Sequence, residues 1–303
     1  PSDGITALAP RRLWTYRPGG DVRDCRGVIL FADIAGFTRL TETAKRRAGT
    51  RGIEELTARI NAIFGDLVCA ALDADGDILK FGGDAILVAF DAGGRDREAV
   101  KNAIRCAAAM QQAMVHHRRT TLRSLSLHLG MAHGEWCEYV AGIPGSRREH
   151  FVWGLAITRA MAAADSSRRQ ARIDCPADLL PRGERLYYQR VAPRLYDFSP
   201  VPIEGVAGTG IQSQIDVGKD TLWDFIPEAL RTEDRSATFH AARSAEHRRV
   251  ATLFGFWKCP KSLKKRGHGA RLLEDVFRCV HEAQITTDGL WARSDPSSDK
   301  QKI

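Results

Sequence analysis

The sequence predicts an α+β fold, a βαββαβ sheet with its helices on one face, and three observations carry that expectation. Short apolar runs at Gly27–Asp33, Ile78–Phe81 and Ala85–Phe90 have the length of strands and fall far short of a helix. Apolar residues recur every three to four positions after Ile53 and again within Arg97–His117, which marks two amphipathic helices. Gly82-Gly83-Asp84, between the second and third apolar runs, is tight-turn chemistry and joins them as a hairpin.

Taken in order, residues 1–24 mix Pro, Gly and charge without a period and read as a lead-in arm. The first strand closes on Asp33, and Gly36 turns the chain into a helical stretch whose buried face is Leu56, Ile60, Ile63, Phe64, Leu67 and Val68. Asp75-Gly76 ends it with turn residues. After the hairpin and the helix Arg97–His117, Leu125–Ala132 reads as a strand, residues 144–149 as an exposed tip and Phe151–Trp153 as the returning strand. Gly154 opens an alanine-rich helix through Ala164, and Ala171–Cys175 is a further strand. This first domain occupies residues 25–200. Residues 201–247, with Gly-rich Glu204–Gly210, read as a linker. Residues 248–303 read as an incomplete second unit, because Arg249–Gly255 repeats the character of the first strand and Leu272–Ala283 that of the first helix. The polar tail from Arg293 is expected to be disordered.

Composition narrows the function classes. With 44% hydrophobic residues the chain of 303 residues can build a core, which excludes wholesale disorder. No apolar run approaches the ~20 residues of a membrane helix. The start Pro-Ser-Asp-Gly-Ile lacks a signal peptide, so a cytoplasmic protein is expected. Seven cysteines without a CxxC pair argue against both a disulfide framework and a zinc knuckle and suit small core positions. The net charge of +8 lacks the aromatic interleaving of single-strand binders, so no nucleic-acid partner is expected; excess cations equally suit a phosphate-bearing substrate. His116, His117 and His133 have no Cys or carboxylate spacing and read as surface and core residues.

The chemistry concentrates at two strand margins. Asp33 closes the first strand and Asp84 follows Gly82-Gly83. Either alone is an ordinary turn carboxylate. If the first strand and the hairpin are neighbours, the two converge, and a hard divalent cation finds its carboxylates there with water or phosphate oxygens completing the shell. Between Asp33 and the helix lies Ile34-Ala35-Gly36-Phe37-Thr38, where a glycine at a strand-to-helix turn lets backbone N–H groups approach an anion.

Phe31–Glu42 and Gly76–Phe90 closely resemble the two metal-site motifs of the class III nucleotidyl cyclases, and within them the first catalytic half of the soluble, bicarbonate-responsive adenylyl cyclases. The resemblance covers about residues 26–195 and implies a ferredoxin-like cyclase sheet. It further implies conversion of ATP to cyclic AMP and pyrophosphate with two Mg²⁺ or Mn²⁺ ions, admits Ca²⁺ among the metals, and admits bicarbonate as activator. Asp33 and Asp84 match the metal aspartates, with the Ile34 backbone beside them, and Ile34–Thr38 match the segment that holds the β and γ phosphates. Asp77 is not a metal position in that family and is expected to serve a turn. Lys80, with Val152, matches either the purine pocket or the degenerate pocket where the family binds bicarbonate.

Three departures qualify the match. Family members whose half completes the site carry Asp or Thr where this chain has Phe151, Asn where it has Thr158, and Arg where it has Ala162. Met161 stands at the family's bicarbonate arginine, with Arg159 close by, and Arg293 stands where a purine-site lysine is expected. The resemblance therefore implies a first catalytic half that needs a second half as partner. Two alternatives stay open: a pseudo-cyclase that binds nucleotide and metal and regulates a partner, and another metal-dependent phosphoryl-transfer enzyme with a similar sheet.

Overall fold

The computed structural model describes residues 10–13, 22–120, 124–167, 171–182, 188–198, 222–226, 256–257, 268–287, 295–296 and 301–302. The chain divides into two compact units, one comprising Arg26–Glu135 with Gly154–Gln212, the other Pro1–Cys25 with Trp136–Trp153 and Ser213–Ile303.

The element order matches the expected alternation: β1 (Arg23–Ala35), α1 (Phe37–Asp73), β2 (Asp77–Gly82), β3 (Ala85–Asp91), α2 (Asp96–Thr120), β4 (Ser126–Gly142), β5 (Arg148–Trp153), α3 (Leu155–Ser166) and β6 (Ala171–Asp174). A hairpin absent from the sequence reading follows, β7 (Tyr188–Ala192) and β8 (Leu195–Phe198), turned by Arg194 at φ 72°. The main sheet runs β2-β3-β1-β4-β6-β8-β7, with β5 paired to β4. β1 and β3 are antiparallel, from Gly27 opposite Asp91 to Asp33 opposite Ala85. β4 and β6 are parallel, joined through α3.

Alternation along the strands sorts the two faces. Val28, Leu30, Ala32 and Ile34 of β1, with Leu127, Leu129 and Met131 of β4, face a core filled by Ile60, Ile63 and Leu67 of α1 and Val100, Ala107, Met110 and Met114 of α2. The expectation of helices on one face thus holds for α1 and α2, and α3 departs from it. Gly130 alternates with Leu129 and Met131, and a Cβ there would lie 2.1 Å from the Ala160 carbonyl oxygen and 2.2 Å from the Ala164 nitrogen. A glycine on the strand and alanines on the helix let α3 lie directly on the opposite face. Sequence periodicity alone does not reveal which side such a small-residue helix takes.

α1 is longer than its apolar spacing suggests and is interrupted at Gly49, whose φ of 56° and ψ of −137° are not helical. Asp77 begins β2 rather than sitting in the turn, which is formed by Ala74 and Asp75 just before it. Cys25, Cys106 and Cys175 are core residues as expected; Cys69 and Cys279 are exposed. His133 is buried and its Nε2 lies 2.6 Å from Asp96 Oδ1 at the start of α2, while His117 lies 2.7 Å from Asp66 on the surface.

In the second unit the β4–β5 hairpin pairs Cys137–Gly142 with Arg148–Trp153. Beside it lie a 3₁₀ turn (Arg11–Leu13), the segment 222–226, helix α4 (His268–Thr287), and the strands β9 (Phe256–Trp257), β10 (Asp295–Pro296) and β11 (Gln301–Lys302). α4 matches the expected helix at Leu272–Ala283. The opening strand expected at Arg249–Gly255, Arg293, Cys259 and the rest of the expected linker lie outside the described residues. Among the described residues no helix is long and apolar enough to cross a membrane.

Candidate active site

Asp33 sits on β1 directly opposite Ala85, so the last residue of the β2–β3 turn, Asp84, is one step from it across the ladder. The Ile34 N–H donates to the Asp84 carbonyl oxygen at 2.9 Å, extending the ladder into the turn. The strand and the hairpin are neighbours, as the expected convergence of the two carboxylates requires. Asp33 is half-buried, and burial followed by the negative charge of Asp84 holds its carboxyl above its ordinary value. Asp165 of α3 pushes in the same direction, and His128 on β4 opposes it.

His128 and Asp165 escaped the sequence reading. The signal for His128 is the alternation of β4: Leu127 and Leu129 belong to the α1/α2 core, so His128 belongs to the Asp33 face. Asp165 becomes a neighbour only through the placement of α3.

Gly36 forms the start of α1 with φ 93° and ψ 0°, a left-handed conformation that glycine adopts without steric cost. A Cβ there would also lie 2.9 Å from the Ser124 carbonyl oxygen, so backbone proximity excludes a side chain independently. No side chain caps the helix, and its first internal bond runs from Leu40 N–H to Gly36 O at 3.2 Å. The N–H groups of Phe37, Thr38 and Arg39 therefore precede the helical ladder, the arrangement that favours an anion. Ile34 is buried in the core, leaving its backbone as its polar contribution; Ala35 and Phe37 are partly buried.

Lys80 is partly buried on β2, next to a register shift between Ile78 and Lys80 in the β2–β3 pairing. The irregularity re-aims the strand within Ile78–Phe81, where the sequence carries no signal for it. Val152 is fully buried on β5 opposite Glu138 and belongs to the other unit.

The three departures have distinct surroundings. Phe151 is fully buried in a cluster with Ala141, Leu273 and Phe277. The Thr158 hydroxyl donates to the Gly154 carbonyl at 3.3 Å within α3. Ala162 is exposed and offers no charge. Arg159 lies 3.7 Å from Asp174, which also accepts from Arg194 Nε at 3.0 Å.

Among the described residues no three His, Cys, Asp or Glu side chains gather as a cage sufficient for a metal by themselves. Two hard carboxylates, one of them disfavoured as an anion, fit a divalent cation that keeps several ligand positions for water and phosphate oxygens.

The family model for the adenylate and guanylate cyclase catalytic domain matches residues 24–180. Adenylate cyclase type 10 of Oryctolagus cuniculus is 31% identical over 158 residues, which cover 50% of this chain and 9% of that protein. The chain thus spans under a tenth of that relative's length. Among solved structures, the adenylyl cyclase CyaB from P. aeruginosa superposes with a TM-score of 0.46 at 18% identity, covering 62% of this chain and 100% of that one. The guanylyl cyclase Cya2 superposes with a TM-score of 0.46 at 23% identity, covering 63% and 99%.

Proposed function

This chain belongs to the adenylate and guanylate cyclase catalytic domain family, and from that premise we propose that it is an adenylyl cyclase half acting on ATP in the cytoplasm. In this reading residues 25–200 are the first catalytic half, 201–247 a linker and 248–303 the opening of a second half. The observation that carries it is the coupling of Asp33 to Asp84 through adjoining register and the 2.9 Å Ile34–Asp84 bond. The likeness to adenylate cyclase type 10 supports ATP over GTP.

The reaction forms a bond from the ribose 3′-oxygen to the α-phosphorus, breaks the bond from that phosphorus to the β-phosphate oxygen, and passes the 3′ proton to water. Asp33 and Asp84, with the Ile34 carbonyl, would hold two Mg²⁺ or Mn²⁺ ions, which supply activation of the 3′-hydroxyl and neutralise charge on the leaving pyrophosphate. Within the segment 34–38, where the Ile34 N–H is committed to Asp84, the N–H groups of Phe37 and Thr38 at the uncapped start of α1 bind and orient the β and γ phosphates. Lys80 is assigned to the purine or bicarbonate pocket.

The transition state also needs a cation and a ribose contact. Thr158 keeps its hydroxyl on its own helix, Ala162 has no charge, and Arg159 already faces Asp174. Those groups are therefore assigned to a second cyclase half. The test is cAMP formation from ATP with Mn²⁺, comparing the chain alone with the chain plus a complete second half bearing the Asn and Arg. Activity confined to the mixture supports the reading. Fast, linear turnover by the chain alone overturns the half-site, and silence in both with ATP and Mn²⁺ bound favours the pseudo-cyclase.

A further inference from the structure

The segment Leu222–Ile226 belongs to none of the motifs used above, yet it makes a set of buried polar contacts on the β4–β5 hairpin. Asp224 is 4% exposed. Its Oδ2 accepts from the Gly145 N–H at 2.9 Å and lies 3.3 Å from Arg148 Nε. Its carbonyl accepts from the Arg148 N–H at 2.8 Å. Arg147 reaches the same segment, donating from Nη1 to the Phe225 carbonyl at 3.0 Å, and is held in place by Glu149 at 2.8 Å. On either side of this charged centre, Leu222 and Ile226 pack with Leu13 and Val140.

An apolar residue, a central Asp and a second apolar residue on one turn, seated against two arginines and an apolar strip, is how a short peptide ligand is recognised. Here the ligand is part of the same chain. The contact continues to α4 through single residues. Arg148, held by Asp224, is the ladder partner of Gly142. The Gly142 N–H donates to Glu274 Oε2 at 3.4 Å, and Glu274 Oε1 accepts from the Tyr139 hydroxyl at 2.8 Å. A Cβ on Gly142 would stand 3.1 Å from Phe277 Cζ, so the strand and α4 touch with nothing between them. Phe277 and Leu273 then cover Phe151 and Ala141.

We propose that residues 222–226 are a latch on the β4–β5 hairpin, with Asp224 as its positioning residue, that keeps α4 seated on Phe151 and so keeps a second cyclase half supplied in trans off the same seat. The proposal rests on the reading of the chain as a cyclase half. The coupling has a physical route, Asp224 to Arg148 to Gly142 to Glu274 and Phe277, rather than mere proximity.

The test uses the full chain and hydrogen exchange followed by mass spectrometry. Asp224→Arg places a cation against Arg147 and Arg148 and is expected to speed exchange of the α4 peptide 270–284 by about tenfold or more. Pairing it with Arg148→Asp restores opposite charges and should return most of the protection. In the same samples, the concentration of complete second half giving half-maximal cAMP should fall about tenfold for Asp224→Arg and recover in the swap. Unchanged α4 exchange, equal exchange in the single variant and the swap, or an unchanged half-maximal concentration each overturn the latch. If β1 and β3 peptides also lose protection, the substitution has unfolded the chain; Asp224→Asn, which keeps an acceptor for Gly145, then decides by the same α4 criterion. Absence of cAMP from every mixture overturns the catalytic reading and leaves the exchange result to judge the latch.

Discussion

The Ile34 N–H and the Asp84 carbonyl are joined at 2.9 Å, so the two carboxylate-bearing residues are tied through main chain at the end of a β-ladder. The carboxyl groups cannot relieve their repulsion by strand separation. Burial, then the Asp84 charge, raises the Asp33 proton affinity. For an acid with a raised value, the fold binds the proton more tightly than the unfolded chain does. Its contribution to stability therefore falls as pH climbs from the ordinary 3.8 through the raised value. At neutral pH the Asp33 anion costs stability until a cation offsets it. Asp33→Asn should raise the melting midpoint of the metal-free protein, cancel the rise that Mn²⁺ gives the wild type, and lower second-half-dependent turnover about 100-fold or more. A thermal scan with and without Mn²⁺ checks the first two; a variant that still gains stability from Mn²⁺ would remove Asp33 from the metal site.

Gly36 is constrained twice, by its φ of 93° and by the 2.9 Å approach of the Ser124 carbonyl to a Cβ position. Gly36→Ala should cost about 1–3 kcal/mol and shift the turn that presents the phosphate-binding N–H groups. Loss of triphosphate affinity with little change in Mn²⁺ affinity is the expected calorimetric signature. Gly49 is the control: its φ is 56°, but nothing lies within 4 Å of its Cβ position, so Gly49→Ala meets the dihedral penalty alone.

Much of this site was legible in the sequence because each part depends on local chemistry. Asp33 and Asp84 stand at strand ends set by short apolar runs, and Gly36 stands where a strand must become a helix. What escaped depends on three-dimensional packing. The side taken by α3 follows from Gly130, where a Cβ would stand 2.1–2.2 Å from the Ala160 carbonyl oxygen and the Ala164 nitrogen, a close approach that no periodicity encodes. The irregularity between Ile78 and Lys80 leaves no mark in the strand's sequence, which has neither Gly nor Pro there. β4 continues ten residues beyond its expected end at Ala132, through Trp136 and Glu138, whose buried Nε1-to-Oε1 bond of 2.8 Å no alternation of apolar residues signals.

Glu138 is buried between Arg12, Trp136 and His150. Burial pushes the Glu138 carboxyl up, but His150, whose Nε2 lies 3.4 Å from Glu138 Oε2, and the Arg12 charge outweigh it and hold the group well below the usual carboxylate range. Trp136 Nε1 also donates to it at 2.8 Å. An acid with a depressed value contributes stability that is present above its ordinary 4.5 and is lost as pH falls below it. Glu138→Gln leaves the buried Arg12 without its counter-charge and should cost about 3–5 kcal/mol near neutrality. The difference from wild type should shrink as pH drops through the acid range. Denaturant midpoints from pH 7 to acid are the measurement; a constant difference across that range would mean the carboxylate charge is not what holds the arm.

The half-site can be tested by completing it. Thr158 and Ala162 stand one turn apart on α3, and Ala162 is exposed, so Thr158→Asn with Ala162→Arg adds polar groups without displacing core. Phe151 is left alone, since it is fully buried against Leu273 and Phe277 and a polar replacement would open that cluster. Two copies of the double variant would each bring a ribose contact and a cation to the other's Asp33 and Asp84. Mn²⁺-dependent cAMP formation by the chain alone should rise about 100-fold, the scale on which a transition-state cation acts. The rate should depend on the square of protein concentration, because the site then forms between copies. Adding Asp224→Arg should increase the rate further if the latch governs access to the hairpin. A rate linear in protein would place the new groups in the chain's own site, and no rise at all, with the variant folded and binding ATP, would show that Thr158 and Ala162 are not the positions where the catalytic half is missing.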